Sequence, residues 1–470
     1  MDKSAAAGRL GAVFKAYDVR GTVPDQLDEE MAYAIGVAFA SFAKEQAGAE
    51  RVVIGRDMRP SGVALGGAFA AGALASGLGV VDAGMISTDM IYFASGSLGL
   101  PGVMLTASHN PARYNGLKMC LPGAQPIGQD SGLQVIRDEA AEVMAGLEAA
   151  PAPPAADDGR IERVDLLERF AAHVHSFVDV GSLAPLKVVA DTANGMGGLV
   201  APAVLGSLPF ELDILFPELD GNFPNHPADP IQPENLAFLQ QRITETGADV
   251  GLAFDGDADR VFLVDEQAEP LSGSLTTAIV AAAMLDAHPG ETVLYNLICS
   301  KAVPEVIAEH GGLGVRTRVG HSFIKAVMAE TGAVFGGEHS GHYYFRDNYR
   351  ADSGIIAALV VLSVISRAGA PLSELRRPFE RYFDSGEINT EVARPGAVLA
   401  GVEERFAAGG AMIDKLDGLT VDLGEWWFNL RPSNTEPLLR LNLEAPDEAS
   451  LESHVAEVTS LIATLGQEES

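Results

Sequence analysis

Four short runs, widely separated along the 470-residue chain, carry residue types that could do chemistry. In Thr106-Ala107-Ser108-His109-Asn110-Pro111, Ser108 is a candidate nucleophile. A bare hydroxyl is weak, so it needs a nearby base or a group already attached; His109, Arg113 and Lys118 supply positive charge suited to an anion. No GxSxG elbow surrounds the serine, which counts against an esterase, and an Asn-Pro turn closed by Ser108 is the plainer alternative. In Asp255-Gly256-Asp257-Ala258-Asp259-Arg260, three carboxylates alternate with small residues, a set of hard oxygen ligands for Mg²⁺ or Ca²⁺. The spacing matches the first half of an EF-hand loop, with Glu266 at its twelfth position. However, Arg260 stands where the sharp turn needs glycine, and the flanks read as strands. Mg²⁺ beside a phosphate is the better reading, because three Asp leave room in its octahedron for phosphate or water oxygens. Gly337-Glu338-His339-Ser340-Gly341-His342 offers donors and acceptors for sugar hydroxyls on a flexed loop, although a structural histidine explains part of it equally well. Arg431-Pro432-Ser433-Asn434-Thr435-Glu436-Pro437 joins a guanidinium fork to two hydroxyls and an amide; it can hold a phosphate or make an ordinary polar turn.

These runs need a scaffold, and the pattern around them predicts an α/β one. Apolar runs at 51–55, 79–81 and 102–105 read as strands with Ala-rich helices between them, and 102–105 delivers the Ser108 run to a strand's carboxyl end, where such sheets bind ligands. The uncharged stretch 60–81 is too rich in Gly, Ala and Ser to enter a membrane and reads as a closely packed buried helix. The Pro/Ala/Asp segment 149–159 is a predicted linker. Beyond it, a helix at 164–177 and strands at 186–190 and 250–254 form a second unit. A helix at 276–287, a strand at 292–297 and a helix at 301–309 form a third. Strands near 426–430 and 438–443 and a last helix at 450–465 form a smaller α+β domain. The expected domains are 1–155, 156–269, 270–383 and 384–470.

Composition narrows the function. With 64 Asp plus Glu against 32 Lys plus Arg, the formal charge of −32 argues against sequence-independent binding to nucleic acid or an anionic membrane. Any anionic ligand needs a locally basic pocket. Two cysteines are too few for a disulfide framework or a cysteine zinc site, and no apolar leader opens the chain, so a cytoplasmic protein is expected. Neither a Walker A sequence nor a strand-to-helix GxGxxG is present to suggest a nucleotide.

Together and in this order, the four runs resemble the α-D-phosphohexomutase family over nearly the whole chain, most closely its phosphomannomutase and dual phosphomannomutase/phosphoglucomutase members. The resemblance implies three related α/β domains and a C-terminal α+β domain around a central cleft. It implies that Ser108 is the phosphoserine and that Asp255, Asp257 and Asp259, with a phosphoserine oxygen on Ser108, hold Mg²⁺. Glu338 and Ser340 would grip sugar hydroxyls; Arg431, Ser433, Asn434 and Thr435 would bind the substrate's phosphate. Tyr17, Asp18 and Arg20 fit the family's N-terminal active-site segment, as does Lys118, and Arg260 would stabilise the transferring phosphoryl group. The implied reaction interconverts mannose 1-phosphate and mannose 6-phosphate, with the glucose phosphates as further substrates, through a hexose 1,6-bisphosphate. Lys118, His321 and His342 are the candidate bases. A monomer or weak homodimer is expected. Ala107 stands where many relatives have Gly, Ile298 where some dual-specificity relatives carry lysine, and His339 at the loop's variable position leans toward mannose phosphates. The rival readings are a phosphoglucosamine mutase or phosphoglucomutase, a metal-dependent phosphatase, and a noncatalytic sugar-phosphate sensor.

Overall fold

The computed structural model describes residues 2–149, 159–432 and 438–468, and of these the side chains of His321 and Glu468 are left undescribed. Most of the predicted linker therefore lies outside the described residues, as do Ser433, Asn434 and Thr435. The chain folds into two compact units, one comprising 1–272, 320–335 and 340–375, the other 273–319, 336–339 and 376–470.

The first unit contains two α/β sheets. In one, the order is Val19–Thr22, Tyr114–Leu121, Gly102–Leu105, Arg51–Arg56, Gly79–Met85, Ile161–Arg163, parallel from Gly102–Leu105 onward and antiparallel at the two leading strands. The uncharged 60–81 stretch is not one helix. A helix spans Ser61–Ala75, Gly77 turns the chain at φ 80°, and the stretch ends inside a strand. That helix packs hard on Glu29–Ala47: a Cβ on Gly36 would lie 2.3 Å from the Phe69 carbonyl oxygen, and one on Gly72 would lie 2.2 Å from that of Tyr33. Small residues there let two backbones approach where larger ones would collide.

The second sheet runs Val261–Asp265, Val250–Phe254, Leu186–Asp191, Phe210–Leu215. Every residue of Val250–Phe254 is buried, as expected of a central strand covered on both faces. Its antiparallel partner returns at once, pairing Phe254 with Val261, so residues 255–260 are the tip of a hairpin. The predicted strand flanks of this acidic loop are observed, and the EF-hand alternative fails on them. Helix Gly354–Ala368, capped by the Ser353 side chain, is almost wholly buried. Among the described residues no single helix is long and apolar enough to cross a membrane.

In the second unit, Thr292–Asn296 pairs parallel with Leu313–Thr317, and helix Gly273–Ala287 is buried along nearly its whole length. The C-terminal sheet is antiparallel, with Trp427–Pro432 between Leu419–Asp422 and Leu438–Ala445. Helices Pro395–Ala407 and Glu448–Glu468 contribute Val402, Phe406, Val458 and Ile462 to its core. The protein is thus a multidomain α/β chain with an α+β C-terminal part.

Candidate active site

Ser108 lies just past strand Gly102–Leu105 in a left-handed backbone conformation, φ 49°, and is 4% exposed. Its amide donates to Thr106 Oγ1 at 2.9 Å, and its own hydroxyl donates to Asp255 Oδ2 at 2.8 Å. The two loops are pressed together: a Cβ on Gly256 would stand 2.4 Å from the Ser108 carbonyl oxygen, so only glycine allows this approach. Beneath the serine loop sits Arg59, fully buried. Nε donates to Asp57 Oδ2, one terminal nitrogen to the carbonyls of Pro111 and Tyr114, and the other to those of Ser108 and Asn110, at 2.6–3.1 Å. All five donors of its fork are satisfied by protein.

The hairpin tip divides its carboxylate oxygens. Asp257 Oδ2 accepts from Thr88 Oγ1 (2.5 Å), Lys118 Nζ (2.8 Å) and Thr106 Oγ1 (3.3 Å), while Asp259 Oδ2 accepts from Lys118 Nζ (2.6 Å). The Oδ1 atoms of Asp257 and Asp259 are buried without a hydrogen-bond partner among the described residues, and the three aspartates present oxygens within 4.8 Å of one another. Buried acceptors without donors call for a cation, so the donor set fits a hard divalent ion. Burial pushes Asp255 up to about 7 despite Arg260 beside it. Burial also works against an ionised Asp257, but Lys118 outweighs it and holds that carboxyl far below the usual range. Lys118 itself is desolvated, yet Asp257 and Asp259 keep its ammonium well above the ordinary value. Arg260 reaches Asp255 Oδ2 at 2.8 Å and Ser108 Oγ at 3.3 Å.

His109 corrects a sequence expectation. Its Nδ1 accepts from Arg260, and that guanidinium, with burial, pushes the imidazole down to about 2, so it is neutral and supplies no positive charge. Arg113 is exposed over the Tyr114 ring and does not join the cluster. Arg20 donates to Asn110 Oδ1 and Asp18 Oδ2, both at 2.6 Å, and Tyr17 packs edge-on against Phe323. His342 Nδ1 lies 2.9 Å from Asp352 Oδ2 and 3.8 Å from Asp259 Oδ1, and Asp352 also meets the buried Lys325 ammonium at 2.8 Å. Burial pushes the His342 ring down, but Asp259 and Asp352 more than offset it and raise the group.

In the second unit, Glu338 is 2% exposed and follows the last residue of strand Phe335–Gly337. Next to it, His339 Nδ1 is 2.9 Å from Ser274 Oγ, which already accepts from the Ser300 amide at 3.1 Å. Burial lowers this imidazole, with Asp384 and Glu387 opposing. Arg431, on strand Trp427–Pro432, is 9% exposed. Its Nε has no hydrogen-bond partner among the described residues, and its ion pair with Glu387 spans 3.6 Å. Burial lowers this guanidinium, with Asp417 and Glu387 opposing.

Four family descriptions match in chain order: the α/β/α domains I, II and III of phosphoglucomutase/phosphomannomutase over residues 11–145, 168–269 and 272–382, and the C-terminal domain over 387–461. The chain belongs to the phosphoglucomutase/phosphomannomutase family. It is similar to a protein of Xanthomonas campestris described as phosphohexose mutases, 41% identical over 96% of this chain and 98% of the relative. It is likewise similar to a Salmonella montevideo phosphomannomutase, 38% identical over 96% and 98%. Among solved structures, a phosphoglucomutase/phosphomannomutase family protein from Burkholderia thailandensis superposes with a TM-score of 0.86 at 32% identity, covering 97% of both chains. This family member is accordingly an isomerase, a phosphohexomutase.

Within the first unit of this mutase, the structure gathers Ser108, His109, Lys118, Arg20, Arg260, His342 and all three aspartates. Within the second it holds Glu338 and Arg431, while Ser340 belongs to the first unit, so the unit boundary falls inside the sugar loop. His321 starts helix His321–Thr331, and its side chain is not described. Sequence reading missed Asp57, Arg59, Thr88, Lys325 and Asp352. A signal did exist for the first two: they follow strand Arg51–Arg56, at the carboxyl end where parallel sheets place their sites.

Proposed function

We propose that the protein is a phosphomannomutase that interconverts mannose 1-phosphate and mannose 6-phosphate through phosphorylated Ser108 and a hexose 1,6-bisphosphate. The observation that carries this reading is Ser108 Oγ, 2.8 Å from Asp255 and 3.3 Å from Arg260, on an acidic loop where Asp257 Oδ1 and Asp259 Oδ1 are buried without a hydrogen-bond partner among the described residues. Asp255, Asp257 and Asp259 would hold Mg²⁺ with a phosphoserine oxygen, and the ion would supply Lewis-acid stabilisation of phosphoryl charge. The bond from Ser108 Oγ to phosphorus breaks as one from the sugar hydroxyl forms, and Arg260 stabilises charge on Oγ and the transferring group. The hydroxyl's proton needs a base. Lys118 carries its own proton between Asp257 and Asp259, whereas His342 is oriented by Asp352, which favours His342 for that role. Arg20 and Tyr17 contact substrate from the N-terminal segment. Arg431, with Ser433, Asn434 and Thr435, takes the phosphate that is not reacting. Glu338 and Ser340 accept and donate to sugar hydroxyls, and His339 beside them adds a polar group suited to the mannose series. The name of the Salmonella montevideo relative, a phosphomannomutase, supports the mannose assignment.

Phosphorus NMR tests this directly. With Mg²⁺ and catalytic hexose 1,6-bisphosphate, mannose 1-phosphate is expected to convert to the 6-phosphate faster than glucose 1-phosphate does. Ser108→Ala should remove turnover by about three orders of magnitude or more. Faster conversion of glucose 1-phosphate would overturn the sugar assignment, and inorganic phosphate released faster than sugar isomerises would overturn the mutase reading.

A further inference from the structure

A carboxylate that binds a metal through one oxygen is oriented by what holds the other; without that hold its plane rotates and the site loosens. Asp257 is held in this manner by a residue outside the acidic loop. Thr88 is fully buried and opens helix Thr88–Leu98. Its amide donates to the Asp257 carbonyl at 3.0 Å, and its hydroxyl donates to Asp257 Oδ2 at 2.5 Å. One residue thus grips both the main chain and the side chain of the aspartate. Two other donors share Oδ2, but neither is as exclusive: Lys118 divides its ammonium between Asp257 and Asp259, and Thr106 is 3.3 Å away and also accepts from the Ser108 amide.

Thr88 is well placed to hold its position. Its β-branched side chain is stiff at χ1. The helix start on which it sits is tied down by its neighbours: Ser87 donates to Asp89 Oδ1, and Ser353, the cap of helix Gly354–Ala368, donates to Asp89 Oδ2 at 2.7 Å. Rotating the Asp257 carboxylate part-way out of its present plane would break the Thr88 bond and leave Oδ2 buried without that donor. Leaving it in place keeps Oδ1 buried and without a hydrogen-bond partner among the described residues, in a cluster where the three aspartates bring oxygens within 4.8 Å of one another.

We propose that Thr88 is a positioning residue for the metal site: its hydroxyl and amide hold Asp257 so that Oδ2 stays with the protein and Oδ1 is presented to a divalent cation. This rests on the metal-site reading above and extends it to a residue in a different part of the chain.

The test is Mn²⁺ binding to the full-length, unphosphorylated protein by electron paramagnetic resonance, with Mn²⁺ as the hard-cation probe, for Thr88→Val, Thr88→Cys and Thr88→Ser. Loss of the donor in the Val variant should weaken Mn²⁺ binding by about 10–100-fold. Ser should restore it to within about threefold, and Cys, a weak donor, should fall between. In turnover, the metal concentration for half-maximal rate should rise in Val while the KM for sugar phosphate stays put. Unchanged Mn²⁺ affinity in Val, or an equal loss in Ser, overturns the proposal. If Val does not fold by circular dichroism, equal affinities in Cys and Ser overturn it and a weaker Cys supports it. Wild-type protein that binds no Mn²⁺ would overturn the metal-site reading and this inference together.

Discussion

Two buried arginines, one in each unit, are used in opposite ways. Arg59 gives all five N–H groups to protein acceptors, four of them carbonyls of the serine loop. Arg431 leaves Nε without a partner among the described residues, and its ion pair with Glu387 spans 3.6 Å. The backbone shows the same division. All ten non-glycine residues with positive φ among the described residues lie in the first unit, including Ser108 at 49° and Ala258 at 60°, and the second unit has none. Strained backbone persists only where surrounding bonds over-determine it, and two of the ten, Ser108 and Ala258, sit in the serine loop and the metal loop. The transferring group has to be in place before substrate arrives, because positioning and fixed dipoles supply most of the catalysis in phosphoryl transfer. Recognition groups can be left for the ligand to complete.

Breaking the first arginine should have the larger effect. Arg59→Met uncovers four backbone carbonyls and removes the cation paired with buried Asp57, whose carboxyl is already pushed up to about 6 by burial against the pull of Arg59. Removing one partner of a buried pair costs about 3–5 kcal/mol, which urea unfolding would read. In whatever protein still folds, kcat should drop about 100-fold through misplacement of Ser108, with KM little changed. A variant with wild-type stability and kcat would erase the contrast between the two arginines.

Arg431→Ala should do the reverse. No protein group depends on all of its donors, so stability should move by no more than about 1 kcal/mol, while lost charge-assisted bonds to phosphate, about 1.5–3 kcal/mol, raise KM for both sugar phosphates about 10–100-fold. Steady-state kinetics in both directions checks this. A loss of stability comparable to that of Arg59→Met would show that Arg431 is a structural residue.

The contrast also explains what could be read from the sequence. The four motifs were legible because each packs its chemistry into a few consecutive residues at a strand end. Strands at 102–105 and 250–254 matched to the residue because each is a fully buried run closed by polar turns. Arg59 was not legible. Its role is fixed by carbonyls about fifty residues further on, and carbonyls leave no mark in a sequence. Thr88 and Asp257 are 169 positions apart, and His109 was misread as a charge because Arg260, 151 positions away, decides its protonation. The helix within 60–81 ended early for a local reason: Gly77 takes a left-handed turn that composition alone did not separate from the other glycines.

The smallest effect isolates the strain itself. Ala258 is buried at φ 60°, a conformation that costs an L-residue roughly 1–2 kcal/mol and glycine almost nothing. Ala258→Gly relieves that cost, but it gives up a buried methyl, about 0.8 kcal/mol, and adds about 0.4–1 kcal/mol of unfolded-chain entropy. The terms nearly cancel, so the variant should stay within about 1 kcal/mol of wild type with its mutase rate unchanged. Ala281 offers the comparison in the second unit: it is equally buried, lies inside helix Gly273–Ala287 and has no positive φ. There, glycine loses the methyl and about 1 kcal/mol of helix propensity with nothing relieved, so about 2 kcal/mol of destabilisation is expected. Chemical denaturation of both variants measures the difference. Equal losses would mean that Ala258 stores no strain, and that the hydrogen bonds around the metal loop, rather than a backbone held away from its preferred conformation, account for how that unit differs from the other.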